Sequence, residues 1–131
     1  ALADSIDPTD DDRRSLRIDD AWIVNACIDL AELTGRVPGI GEMRHVAHVS
    51  ETRLRTAFVR QLGIPPSKFF RQWGLDRARR HLLHSDGRSV TIAMVATDVG
   101  FGHLGRFSRY YLKQFGELPS ATLASSRAGS H

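Results

Sequence analysis

One ten-residue pattern occurs twice in the chain, 53 positions apart, and it restricts the protein to a duplicated helical architecture. Leu54-Arg55-Thr56-Ala57-Phe58-Val59-Arg60-Gln61-Leu62-Gly63 lies over Phe107-Ser108-Arg109-Tyr110-Tyr111-Leu112-Lys113-Gln114-Phe115-Gly116, and the copies continue as Pro66-Ser67 and Pro119-Ser120. Each copy has apolar residues at i, i+4 and i+8 (Leu54, Phe58, Leu62; Phe107, Tyr111, Phe115), which predicts one buried helical stripe and a basic outer face. A Gly followed by a Pro stops each copy, as expected of repeated helices in a duplicated module.

A chain of 131 residues with 41% apolar content has enough core for one domain, or for two small lobes that share a helix. Its net charge of +3 conceals an asymmetry. Residues 1–35 carry three Arg against nine Asp and Glu, whereas residues 36–131 carry fifteen Lys and Arg against six acids. The second part is therefore expected to bind an acidic partner. Sixteen of the eighteen cations are Arg, whose planar fork suits phosphate oxygens and guanine edges. A GC-rich genome explains that usage equally well, so position has to decide. A single Cys27 excludes an internal disulfide, and no apolar run is long enough to span a membrane. With no targeting signal at its start, the chain is expected in the cytoplasm, and a start without Met suits a piece of a longer protein.

Residues 1–18 are Asp-rich and lack apolar periodicity, so they are expected to be an acidic linker or disordered segment. The folded domain is expected over 19–125, with 126–131 as a tail. Asp19 or Asp20 is suited to cap a helix from about Ala21 to Thr34, ended by Gly35 and Pro38, with Trp22, Ile23, Ala26, Cys27, Leu30 and Leu33 on its core side. A first motif over about 38–63 follows: a short helix near Ile40 to His48, then Ser50 as N-cap, then Glu51 to Leu62, which is helix-turn-helix order. Pro66 opens a connecting helix over about 66–85, with Phe69, Phe70, Trp73, Ala78, Leu82 and Leu83 on its apolar side, ended by Ser85-Asp86-Gly87. The second motif spans about 91–116. Thr91 caps a short helix with Ile92, Val95, Ala96 and Val99 at i, i+3, i+4 and i+7, Gly100 makes the turn, and a helix from about His103 to Phe115 closes it. No strand-like alternation occurs, and the fold class expected is all-α.

At 1.5 Å per residue the connecting helix is about 30 Å long, near the roughly 34 Å between major-groove segments on one face of B-DNA. Such a spacer would set two recognition helices into successive grooves without dimerisation.

The run Val99-Gly100-Phe101 followed by Phe107-Ser108-Arg109-Tyr110-Tyr111-Leu112-Lys113-Gln114-Phe115-Gly116 and Pro119 resembles the C-terminal signature of AraC/XylS-type bacterial transcription regulators. Ser50 to Phe58 and Leu75 to Leu83 resemble that family's first recognition helix and connecting helix, so the match covers about residues 38–123. The resemblance implies tandem helix-turn-helix subdomains, sequence-specific binding of double-stranded DNA, and transcription control, usually activation through contact with RNA polymerase. It also implies that effector binding belongs to a separate domain, for which this chain has no room. The sequence departs from the pattern at Arg44, where a small residue is usual, at His48 in place of a turn Gly, and at Pro65 in place of a Ser.

Thr52, Arg55 and Thr56 lie off the Leu54/Phe58 stripe at positions where the resemblance implies base contact; a solvated face is the alternative. Arg53 and Arg60 flank that face and are assigned to phosphates, and Ser50 to a phosphate as well as the cap. In the second motif, Arg109 aligns with Thr56 on the groove side and is expected to read guanine. His103, Leu104 and Arg106 complete the expected base contacts, Leu104 against a thymine methyl or, alternatively, in the core, and Lys113 is a further phosphate contact. His45/His48 and His81/His84 are i, i+3 pairs that lack the further ligands of a closed zinc site, so neither a metal nor another cofactor is expected. No catalytic constellation is recognisable. A helical adaptor for an acidic protein and a His-based metal module or enzyme are the competing function classes.

Overall fold

A computed structural model describes the backbone of residues 8–85 and 90–129. Among the described residues the chain forms α-helices and no strand: α1 Pro8–Thr34, α2 Ile40–Ala47, α3 Glu51–Leu62, α4 Pro66–His84, α5 Ile92–Val99, α6 Leu104–Phe115 and α7 Pro119–Gly129. The all-α expectation holds, with differences at both ends.

α1 starts at Pro8 and not near Ala21, so residues 8–18 are helical where a linker was expected. Proline suits a first helical position, since its missing N–H is one the helix would leave unpaired anyway. No Gly and no second Pro then interrupts the chain until Gly35, which takes a left-handed φ of 74°. Residues 1–7 of the expected linker lie outside the described residues. At the other end, α7 runs to Gly129 through most of the expected tail, opened by Pro119 in the same way; residues 130–131 lie outside the described residues. So do Asp86 and Gly87, the expected end of the connecting helix.

The chain divides into two compact units, Ala1–Leu33 with Pro38–Pro66, and Thr34–Val37 with Ser67–His131. In the first unit the buried side chains are Ile23, Val24, Cys27 and Ala31 on α1, Met43 and Ala47 on α2, and Leu54, Ala57 and Phe58 on α3. Trp22 is 51% exposed and Leu33 85% exposed, so neither belongs to the core side expected of it. With apolar residues on most faces of α1, composition does not phase the helix; packing selects the Ile23/Val24/Cys27/Ala31 face. Leu62 is also exposed, because eight residues advance an α-helix by about 80° beyond whole turns and carry the i+8 position off the stripe.

In the second unit Leu75, Ala78 and Leu82 of α4 form one core with Val95, Ala96 and Val99 of α5, Phe107 and Tyr111 of α6 and Leu123 of α7. Leu83, expected on the apolar side of α4, is exposed, and Leu75 takes a core place instead. The short segment before α2 belongs to this unit: the Val37 N–H donates to the Val99 carbonyl at 2.7 Å. A Cβ on Gly74 would lie 2.6 Å from Val37 Cγ2 and 3.0 Å from the Phe101 ring. Glycine inside α4 weakens that helix intrinsically, and the close approach of Val37 and Phe101 is what it allows.

Candidate nucleic-acid interface

Each motif is a short helix, a tight turn and a longer amphipathic helix, and local hydrogen bonds fix both. In the first, His48 ends α2 in the left-handed region at φ 55° and ψ 44°, with its N–H donating to the Arg44 carbonyl. The residue at the usual turn glycine thus makes the turn in the conformation that glycine favours. Ser50 caps α3, its Oγ accepting from the Arg53 N–H at 3.2 Å, which leaves the hydroxyl proton for another acceptor. In the second motif Thr91 caps α5 through the Met94 N–H at 3.1 Å, and Gly100 makes the turn at φ 103°.

On α3, Thr52 and Arg55 are exposed and Thr56 is half-buried. Their i, i+3, i+4 spacing places them on one face. The Thr56 hydroxyl donates back to the Thr52 carbonyl at 3.0 Å, leaving its oxygen lone pairs toward the surface.

Arg53, expected at a phosphate, also has a partner inside the fold. Its guanidinium pairs with Asp20 of α1, a carboxylate with 3% of its surface exposed. Arg60 reaches the other oxygen of the same carboxylate at 3.7 Å, with 56% of its side chain still exposed. A buried carboxylate demands compensating charge, so α3 contributes Arg53 to the fold and keeps Arg60 at the surface. Nothing in the sequence links Asp20 to Arg53, which lie 33 positions apart.

In the second motif His103, Leu104, Arg106 and Arg109 are all exposed, and with Gly102 and Gly105 they line one hollow of about 600 Å³ at the start of α6. The four expected base-reading residues of this motif are thereby brought together. Leu104 is 47% exposed, which removes the core alternative. The His103 side chain makes no capping hydrogen bond, although its carbonyl accepts from the Phe107 N–H at 2.9 Å. Lys113 is exposed two turns further on.

A partly buried network braces α6. The Tyr111 hydroxyl donates to Thr122 Oγ1 at 2.8 Å, and Arg79 Nη1 lies 3.4 Å from both oxygens and 3.1 Å from Glu117. Three helices, α4, α6 and α7, are joined at one point. Among the described residues no three His, Cys, Asp or Glu side chains gather into a site able to hold a metal ion, and no helix is long and apolar enough to cross a membrane.

The helix-turn-helix domain family matches residues 44–125, which is most of the chain. The chain belongs to the AraC/XylS-type family of transcription regulators. Its sequence is 35% identical over 95 residues to XylDLEGF operon transcriptional activator 2 of Pseudomonas putida, covering 72% of this chain and 60% of that protein. Over 102 residues it is 30% identical to a probable thc operon regulatory protein of Rhodococcus erythropolis, of which it covers 31%. The chain therefore spans less than two thirds of these relatives' length. A probable AraC family transcriptional regulator from Rhodopseudomonas palustris superposes with a TM-score of 0.60 at 30% identity, covering 87% of this chain and 98% of that one. The fold is also that of an AraC-type regulator from Chromobacterium violaceum, with a TM-score of 0.67 at 24% identity and coverage of 81% and 93%.

Proposed function

We propose that this AraC/XylS-type chain reads an asymmetric duplex DNA site as a monomer, with α3 and α6 entering successive major grooves. The observation that carries the reading is the pairing of two helix-turn-helix motifs in one chain, each with an exposed polar face on its second helix. In the first motif Thr52, Arg55 and Thr56 supply the base contacts; in the second His103, Leu104, Arg106 and Arg109 supply them, with Arg109 reading guanine O6 and N7. Ser50, Arg60 and Lys113 hold backbone phosphates and set the register.

The regulator works in the cytoplasm as an activator that contacts RNA polymerase. Activation is favoured by the relatives named as operon activators. The test is a salt titration of binding to duplex DNA, where counterion release makes log affinity fall by about 0.9 per phosphate contact for each unit of log salt. A slope near zero on every duplex contradicts the reading and favours an acidic protein as partner.

A further inference from the structure

The first motif carries a basic cluster that the contacts above leave unused. Arg44 and His45 of α2, His48 in the turn and Ser50 at the head of α3 line a hollow of about 520 Å³ together with Gly41 and Val49. Arg44, His45 and His48 are exposed, and the two imidazole centroids are 6.3 Å apart. At the equivalent places of the second motif, 52 positions on, stand Ala96, Thr97 and Gly100, all uncharged. The cluster is thus a property of the first motif and not of the repeat.

His48 holds a left-handed backbone at φ 55° where the second motif uses Gly100. A side chain kept in that region strains the backbone, and such strain tends to collect at functional positions. Here the strain comes with an exposed imidazole at the edge of the turn.

We infer that Arg44, His45 and His48 form a seat for a backbone phosphate of duplex DNA, and that its grip tightens as the histidines take up protons. The inference rests on the duplex-binding reading above. A neutral imidazole offers one N–H donor; the imidazolium offers two and a full charge, and histidine makes that change between about pH 5 and pH 8. Arg44 supplies the part of the attraction that does not vary with pH.

The acids on the surrounding elements leave the seat positive. On α2, Glu42 accepts the Gly39 N–H at 3.0 Å. On α3, Glu51 occupies the first turn beyond Ser50, and Arg55 adds positive charge. On α1, Asp20 is paired with Arg53 and Arg60, Asp29 lines a different hollow beside Trp22, and Glu32 is exposed one turn further on. None of these carboxylates lines the hollow.

The test is fluorescence anisotropy with the full chain on a preferred duplex, at fixed ionic strength, near pH 7.5 and near pH 5.8. Wild type is expected to bind several-fold more tightly at the lower pH, with a salt slope steeper by about one to two units. The double variant His45→Gln, His48→Asn should lose that gain; Asn tolerates the left-handed turn. His48→Gly should keep or raise the melting temperature while losing part of the gain, which a purely structural turn residue would not show. His81→Gln should keep the gain, since that exposed residue lies on α4 and has no assigned DNA contact. Arg44→Gln should reduce the slope by about one unit at both pH values. Duplex binding that is independent of pH in wild type, or an undiminished gain in the double variant, overturns the seat; absence of duplex binding at both pH values overturns the DNA reading itself and the seat with it.

Discussion

The Asp20 carboxylate, almost wholly buried on α1, is paired with the guanidinium of Arg53 from the recognition helix α3. Removing one partner of such a pair strands a charge away from water. Arg53→Ala is therefore expected to lower unfolding free energy by about 2 to 4 kcal/mol, at the lower side of the usual range because Arg60 still faces the carboxylate. Its salt slope for duplex binding should stay unchanged. Urea denaturation together with a salt titration checks both; a stable variant whose slope falls by about one unit would return Arg53 to the phosphates.

Arg109 and Arg60 are both exposed arginines on recognition helices, yet their expected effects differ. Arg109 lines the hollow at the start of α6, so Arg109→Ala should cost about 1 to 3 kcal/mol on the preferred duplex and relax the preference at one base position. Arg60→Ala should weaken all sequences alike and reduce the slope by about one unit. Anisotropy on matched and mismatched duplexes separates the two, and equal losses on every sequence for Arg109→Ala would make it a phosphate contact.

The second motif was the more legible of the two because its information is local. Thr91, the Ile92/Val95/Ala96/Val99 spacing and Gly100 define α5 within a few residues, and the residues lining the hollow run from Gly102 to Arg109. The first unit depends on separation in sequence. Asp20 and Arg53 lie 33 positions apart, and no periodicity joins them. The start of α1 was missed because an acidic, weakly apolar stretch reads as a linker, whereas a continuous helix needs only the absence of a breaker. Trp22 reads as core from its place in the Trp22/Ile23/Ala26/Cys27/Leu30/Leu33 set, but α1 has apolar residues on more than one face and packing leaves Trp22 exposed. Gly74 gave no signal, because the neighbour that requires it, Val37, comes from a segment before α2.

The Tyr111 hydroxyl holds Thr122 at 2.8 Å inside the second unit. Tyr111→Phe keeps the ring and leaves Thr122 and Arg79 short of a partner, at an expected cost of about 1 to 3 kcal/mol. A chemical-denaturation midpoint equal to wild type would contradict the bracing role.

Gly74→Ala tests the close approach in the second unit. Alanine is the better helix former by about 1 kcal/mol, so an open position would be stabilised. With Val37 Cγ2 at 2.6 Å from the added carbon, the overpacking term of about 1 to 3 kcal/mol should win and the melting temperature should fall.

Burial pushes the Cys27 thiol up to about 11 from its ordinary 9.0. A raised folded pKa means that the neutral thiol stabilises the fold fully below about pH 9, and that this contribution is lost as pH rises toward 11. Unfolding free energy should fall across that window in wild type and fall less in Cys27→Ala. Parallel curves for the two proteins would show that other groups dominate.

Selection of preferred duplexes from a random library with the purified chain tests the central claim most directly. Two motifs in one chain predict an asymmetric site with two information-rich blocks about one helical turn apart, bound by a single copy of the protein. Recovery of only palindromic sites, each occupied by two copies, would contradict it.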